Sequence, residues 1–582
     1  MAAMISGVKT IEDAFEIQRS GDRRLFFRWI RRPFHSLELL LFLVRRFYYK
    51  YVRKSLMPGV HNYPVEIRDL FERLKKQQEY GLEVGYPDHI SQIAEVEAVR
   101  LATIYYPTRD NRIDWGATFD DGEDLTALHR FGWINDLSSG AYEDNWVIAQ
   151  ISKWPYWGHS LSSECEGLVW EPYTIAERCS SLVLRFSTNM PNAIKSFVAR
   201  QAMILSHRLE YHGPFTGNHV FNNARGLYLA SLAIGNPELK RFSLAVLKRE
   251  FELLVNNVGE FREGSSHYQW LFTSWLGDMA IVSGDFEDEN TLFFQDGFKR
   301  LYAVSCLLHQ GHRDMPLIGD VSPDLPPALT SEKVHRQAIA LQVESTELNF
   351  EDLSGWAGVK GQVSSFLSRV SIKSNSCHVG HDHQDYFHFI YSYNSLPILV
   401  DPIRPSYEPL LNNQVYTSAV KHNVILIDGV AESTFAKTKY PVSFTQSIRQ
   451  HYCRNNEVFL VSNGFRRLGL EEVSRRITLT EDGSLQVEDC ISSYSHERLV
   501  ETYWYFDPNV KLVEGKSSVS VLFDEEFLFT VDSDKDASFA IENPSERMKF
   551  QSPQYGHRVD LPFIVVTSRG AKKVRYTIGR NS

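Results

Sequence analysis

The sequence has little cysteine: six residues in 582, at positions 165, 179, 306, 377, 453 and 490, with no two in a CxxC pair. That scatter excludes a disulfide framework and a thiolate zinc site. It also lacks an apolar run of the about 20 residues needed to cross a bilayer. The run Leu37–Val44 is flanked by Arg31, Arg32, Arg45 and Arg46. It reads as a core-docking helix with snorkelling arginines, an interfacial helix being the alternative. The first eighteen residues, MAAMISGVKTIEDAFEIQ, hold no basic segment leading into an apolar one. A cytoplasmic location is therefore expected, with the periplasm or non-standard secretion as alternatives. Positive charge is not in excess, since the net charge is −10. That argues against nucleic acid as a partner and requires a locally basic groove for any acidic ligand. No fixed period recurs, so a tandem-repeat solenoid is not supported.

What is present is a chain too long for one core, with 43% apolar and 23% charged residues, so two or more domains are expected. Residues 1–65 form a basic extension of helical pattern. From 66 to 355 the apolar spacing is helical, most clearly over 193–211, 222–234, 237–257 and 268–284. Breaks at Gly213-Pro214, Gly235-Asn236-Pro237, Gly259 and Gly284-Asp285 imply antiparallel helical hairpins. From 356 to 582 short β-rich runs take over, at 363–372, 386–393, 396–400, 422–427, 457–462, 499–505 and 517–522. Asp428-Gly429, Asn463-Gly464 and Asp482-Gly483 read as hairpin turns between them. Helices first and strands second is a two-domain order ending in an antiparallel sandwich, with the boundary near Leu353-Ser354-Gly355.

Four clusters could carry chemistry. Thr216 to Asn223 (TGNHVFNN) opens an apolar helix, where Asn218 could simply be an N-cap. Arg262 to Gln269 (REGSSHYQ) also precedes a helix and could be a capping box. Cys377 to Asp385 (CHVGHDHQD) with His388 places four histidines within residues 378–388. On a strand, His381 and His383 would face the same way. Asp401 ends the apolar strand LPILV, where an unpaired carboxylate is costly, and Lys421-His422-Asn423 follows. Two histidines and an aspartate make a zinc set with an open position.

In this order the clusters resemble the heparinase II/III-like polysaccharide lyases, a family that includes related alginate lyases. The resemblance rests on Asn218-His219 with Asn223, Glu263 to Tyr268 (EGSSHY), Leu317 to Asp320 (LIGD), and Gly380 to Asp385 (GHDHQD). It continues through Leu399 to Pro402 (LVDP) and His422-Asn423 leading to Asp428-Gly429. Each motif is short; the ordered combination over residues 215–430 is specific. It implies an incomplete (α/α) toroid followed by antiparallel β-sheets, and β-elimination on a uronic acid within an acidic polysaccharide or oligosaccharide. It implies Asn218, with His219 beside it, as donor to the substrate carboxylate, and Tyr268 and His381 as the proton-transfer pair. Asn223, Glu263, Arg262 and Tyr407 are the substrate-binding candidates. His383, Asp401 and His422 are the candidate ligands of one structural zinc ion. His378 and His388 read as ordinary histidines. Arg225, Arg262 and Arg404 could each bind a substrate carboxylate or serve as a structural ion-pair partner. The sequence departs from the family pattern at Ile403-Arg404, where relatives usually have glycine.

Other classes compete. His381-x-His383-x-Asp385 is similar to the HxHxDH motif of dinuclear hydrolases, but position 386 is Tyr. A glycoside hydrolase would need two opposed carboxylates, for which Glu263 and Asp320 can be nominated. A silent polysaccharide-binding or assembly protein on the same fold would have no use for Tyr268 as a proton donor.

Overall fold

The computed structural model describes residues 63–76, 92–211, 217–370, 381, 383, 385–408, 416–432, 449–492, 497–515, 518–523, 526–533, 537–541 and 550–579. The extension before Tyr63, Thr216, residues 377–380 (including Cys377 and His378) and Asp382 therefore lie outside the described residues.

Among the described residues ten α-helices come first: α1 (Val65–Lys76), α2 (Gly122–Arg130), α3 (Ala141–Ile151), α4 (Pro172–Phe186), α5 (Asn192–Ser206), α6 (Asn218–Ile234), α7 (Pro237–Leu254), α8 (Ser266–Asp285), α9 (Thr291–His309) and α10 (Pro327–Ala340). Local chemistry sets their ends. Gly235 closes α6 in the left-handed region at φ 70°. Asn236 then caps α7, accepting from the Glu238 and Leu239 amides, with Pro237 in the first turn. Helices α4 and α6 approach closely because residue 226 is glycine; a Cβ there would lie 2.7 Å from the Ala176 backbone. Helix α8 is buried on nearly every side, which makes it the central post of the helical layer. No described helix is long and apolar enough to cross a membrane.

After a small hairpin of β1 (Ala98–Arg100) and β2 (Tyr105–Pro107), the strands belong to the C-terminal half. They begin with β3 (Trp356–Lys360), β4 (Ser364–Arg369), β5 (Phe389–Tyr393), β6 (Leu396–Leu399), β7 (Ile425–Ile427) and β8 (Arg449–Arg454). Next are β9 (Glu457–Ser462), β10 (Val473–Leu479), β11 (Leu485–Ile491), β12 (Leu499–Tyr505), β13 (Val510–Glu514) and β14 (Ser518–Phe523). The last are β15 (Glu526–Ser533), β16 (Ala537–Ile541), β17 (Phe550–Gln551), β18 (Val559–Asp560), β19 (Phe563–Arg569) and β20 (Lys573–Gly579). The main sheets are ordered β3-β4-β5-β6, β13-β14-β15-β20-β11-β10-β9-β8 and β16-β19-β12-β7. Every pairing among the described strands is antiparallel, as the alternation implied. Phe366, Phe389 and Tyr391 of the first sheet share a core with Leu460, Ile477 and Val487 of the second, so the two form a sandwich.

Of the three expected turns, Asp428-Gly429 is a tight reversal with both φ positive (52° and 71°), closing on Ile427 and Val430. Gly483 likewise turns at φ 85°. Asn463-Gly464 does not: Gly464 opens a short 3₁₀ helix to Leu468. Glycine is needed there for space, because a Cβ would collide with Glu432.

Two contacts lock helices to sheets. Val304, Leu307, Leu308 and Ile318 share a buried cluster with Trp356, Leu367 and Ile390. The buried Glu260 carboxylate accepts from the backbone amides of Ser354 and Gly355, at 3.0 and 2.7 Å, where the architecture changes.

Candidate active site

Asn218 is not a cap. Gly217 holds the N-cap position of α6, and Asn218 is the first helical residue. Its side chain points to the other half of the molecule. Nδ2 donates to Glu263 Oε2 at 2.9 Å and lies 3.1 Å from His381 Nε2. The Asn218 backbone N–H donates to Glu263 Oε1 at 2.6 Å. The second cluster holds a simple N-cap and not a capping box: Ser265 caps α8 by accepting from the Tyr268 amide, but the third helical position is Tyr268, which cannot return the bond. That cap starts the helix so that Tyr268 lies over the His381 ring, centroids 3.6 Å apart and planes 16° apart.

His381 and His383 lie in a turn and an irregular segment, not on a strand. They are still drawn together, by Asp320. His381 Nδ1 is 3.2 Å from Asp320 Oδ2, and His383 Nε2 is 2.9 Å from Oδ1. Arg404 donates to the same carboxylate at 2.5 Å. Burial alone would raise the Asp320 carboxyl; Arg404 and the two histidines hold it well below the usual range. The Asp320 amide also donates to the His381 carbonyl. Gly319, at φ 80°, makes this approach possible, since a Cβ there would lie 2.9 Å from the Gly264 and His381 carbonyl oxygens.

Behind this group, one ligand atom from each of His383, Asp401 and His422 lies within 4.8 Å of the others, and all three residues are buried. Their hydrogen bonds suit a cation. His383 gives its Nε2 proton to Asp320, and His422 Nδ1 is 2.9 Å from Asp401 Oδ1. That leaves lone pairs on His383 Nδ1 and His422 Nε2, both buried without a hydrogen-bond partner among the described residues. Carboxylate-oriented imidazoles of this kind are what a zinc site uses, so the residues fit the ion. His388, read as an ordinary histidine, belongs to this shell: its Nε2 is 3.7 Å from Asp401 Oδ2. It is not a ligand in this arrangement, because its Nδ1 accepts the Asn423 amide at 2.9 Å, which puts the proton on Nε2. Burial would raise the Asp401 carboxyl, but His422 and His388 hold it low.

The remaining candidates divide. Tyr407 reaches the centre: its hydroxyl is 2.9 Å from the Tyr268 hydroxyl. Glu263 is 3% exposed and bound to Asn218, so it orients that amide rather than offering a face to a ligand. Asn223 is fully buried and accepts the Glu210 amide, a scaffold for Glu210. His219 stands half-exposed, 3.1 Å from Glu210 and beside the Tyr173 ring. Its pKa is raised: the partial desolvation of the ring is outweighed by Glu210 and Glu263 together. Arg262 is partly buried, its backbone amide bonded to Leu254. Arg225 is an ion-pair partner of Glu177 at 2.7 Å.

Sequence reasoning gave Asp320 and Arg404 no part in orienting the imidazoles, although both lie in the motifs considered. It also missed Tyr173, whose hydroxyl donates to Asp324 at 2.6 Å, and Arg130, which pairs with Asp324 at 2.8 Å. No local pattern marks Tyr173, Arg130 or Asp324. The rival chemistries fare poorly. Glu263 and Asp320 bracket one imidazole, at 3.4 and 3.2 Å from its two nitrogens, instead of facing each other across a substrate-sized gap. The candidate metal set contains neither His381 nor Asp385, both of which a dinuclear hydrolase would need.

Residues 343–577 match the family model described as heparinase II/III-like, C-terminal. A heparinase III structure aligns with a TM-score of 0.61 at 13% identity, covering 89% of this chain and 90% of that one. A heparinase III gene product aligns at 0.57 and 14% identity, covering 88% of each chain. The heparan sulfate lyase HepC from Pedobacter heparinus aligns at 0.53 and 15%, covering 92% of this chain and 88% of that one. No curated protein matches the sequence. At such identities the structural likeness is one of fold, an incomplete helical toroid ahead of antiparallel sheets. Residues 343–577 thus match a heparinase II/III-like C-terminal domain, and the chain shares its fold with the heparinase III structure.

Proposed function

We propose that the protein is a polysaccharide lyase that cleaves the C4–O4 bond of a uronic acid residue by β-elimination, leaving an unsaturated uronate end. The observation that carries this is the Tyr268–His381 stack with the Asn218 amide at the imidazole edge. Removing the C5 proton requires neutralising the neighbouring carboxylate with directed donors. Asn218 is placed to do so: Glu263 takes one amide proton, and the other rests on His381 Nε2, which must release it to a substrate carboxylate before taking the C5 proton.

His381 is the base. Its Nδ1 proton goes to Asp320, so Nε2 carries the lone pair. Tyr268 is the acid. Burial raises its pKa well above 10; the Tyr407 hydrogen bond opposes this, and Asp324, Asp320 and Glu263 add to it. The side chain is therefore a neutral phenol with a proton to give to O4. Stacked rings leave no room for a sugar between acid and base, contrary to an arrangement with one on each face. Both act on the same face of the pyranose. That geometry suits uronates whose C5–H and C4–O4 share a face, the gluco and manno configurations.

His383, Asp401 and His422 would hold a zinc ion, which when bound would tie the turn carrying His381 to β6 and β7. The fold likeness to heparinase III and the heparan sulfate lyase HepC agrees with this reading. A silent binding protein would not need a buried phenol stacked on a carboxylate-oriented imidazole.

The test is a panel of uronate polymers followed by the ultraviolet absorbance of the unsaturated product. Glucuronate- or mannuronate-containing chains should be cut, and galacturonate or iduronate chains hardly at all. Tyr268→Phe should abolish turnover while binding survives. Full activity in that variant, or a product without the double bond, rules the proposal out.

A further inference from the structure

The proton donor of this site is completed by the other half of the molecule. Tyr268 rises from α8, but its hydroxyl meets Tyr407, in the segment after β6, at 2.9 Å. Tyr407 has a second partner, the Val321 carbonyl at 3.3 Å. A carbonyl can only accept, so with the Tyr407 proton on Val321 it is Tyr268 that donates to Tyr407.

Tyr407 is itself fixed from three sides. Its backbone N–H donates to the Tyr555 hydroxyl at 2.9 Å. The neighbouring Ser406 hydroxyl donates at 2.8 Å to Asp121 Oδ2, the residue whose other oxygen caps α2. The Arg404 guanidinium lies over the Tyr407 ring, 4.4 Å from its centroid, while bonded to the Asp320 carboxylate that orients His381. The segment 404–407 thus joins the partner of the proposed base to the partner of the proposed acid.

Resting on the lyase reading, we propose that Tyr407 is a positioning residue whose hydroxyl holds the Tyr268 proton before reaction and stabilises the Tyr268 phenolate after it. In the step itself, His381 Nε2 takes the C5 proton. The C–H electron pair becomes the C4=C5 double bond, and the C4–O4 pair leaves with O4, which receives the Tyr268 proton. The phenolate that remains is buried among Asp320, Asp324 and Glu263, each of which opposes a negative charge there. Rotation of the Tyr407 O–H from Val321 to Tyr268 supplies a donor at the distance already present. The imidazolium stacked on the phenolate then returns its proton through solvent exchange, which resets the pair. Tyr407 touches no reacting atom; it acts through Tyr268.

Tyr407→Phe keeps the ring beneath Arg404 and removes only the hydroxyl. On a polymer cut by the wild-type enzyme it should lower kcat about 10-fold or more, on the order of one directed donor to a developing charge, with KM within about twofold. A 4-deoxy-4-fluoro uronide, whose fluoride leaves without a proton, separates donor support from general damage. On it the loss should shrink to less than about threefold, since no phenolate forms. Equal losses on both substrates, or an unchanged kcat on the polymer, overturn the proposal. Wild-type protein that yields no unsaturated product overturns the lyase reading instead. Circular dichroism and thermal melting of Tyr407→Phe confirm that the fold is kept, and Tyr555→Phe should show a smaller defect of the same pattern.

Discussion

Asp320→Asn separates the two jobs of one carboxylate. The wild-type group accepts from His383 Nε2 at Oδ1, and from His381 Nδ1 and Arg404 at Oδ2. An amide of the same shape offers one accepting oxygen and one donating nitrogen. With the oxygen on the Oδ2 side, two bonds survive, one of them charge-assisted by Arg404; the opposite placement keeps only the bond to His383. The first arrangement is therefore preferred. His383 Nε2 then faces an N–H, and its proton must move to Nδ1, the atom otherwise available to a metal. Zinc affinity should fall about 10- to 100-fold, the usual effect of losing such an orienting partner. His381 keeps its tautomer but loses a full negative charge beside the imidazolium. The variant's kcat should thus fall by less than the about 10⁴-fold that a wrong tautomer costs in a comparable dyad. Competition titration with a chromophoric chelator reads the first quantity, and steady-state absorbance of the unsaturated product the second. Unchanged zinc affinity with kcat down by the full factor means that the amide sits the other way. No change in either means that Asp320 does not organise the site.

Purified protein should contain close to one zinc per chain by elemental analysis, and His383→Ala should lose the metal and melt at a lower temperature; a metal-free wild-type protein would refute the assignment. Asn218→Ala should slow turnover by about 100-fold on the free uronate and much less on a methyl-esterified substrate, whose charge is already masked; equal losses on both would remove Asn218 from carboxylate neutralisation. Burial pushes the pKa of His129, His267 and His312 down to about 3 each, and the unfolded value is about 6.5. Below the unfolded value the unfolded chain binds protons that these folded imidazoles refuse, so their contribution is present above about pH 6.5 and lost as pH falls toward 3, at up to about 1.4 kcal/mol per unit each. His267 accepts the Ser322 amide on Nδ1, so His267→Gln should flatten this slope in urea unfolding at several pH values; an unchanged slope would show that His267 titrates freely.

The amino-acid order alone determined the two architectures and their sequence in the chain. Periods of 3.6 and of 2 are local properties, and they place α6, α7 and α8, and then β4, β5, β9 and β12, close to where those elements stand. The grouping of His383, Asp401 and His422 was also legible as a candidate metal set, because histidines and an aspartate at the end of an apolar strand have few reasons to be there. Tertiary structure decided which polar residues meet. Whether Asn218 caps a helix or faces His381 depends on the helix beginning at Asn218 and on Glu263 turning to hold it. Asp320 looks like the end of a short apolar motif until the fold brings His381, His383 and Arg404 onto its two oxygens. The Tyr268–Tyr407 contact joins residues 139 positions apart. Hydrophobic periodicity reports which face of an element is buried, whereas hydrogen-bond partners depend on ångström-scale distances set by the docking of one half against the other. That docking rests on the apolar contact of α9 with the first sheet, on Glu260 at the junction and on a glycine at 319 that lets two loops touch.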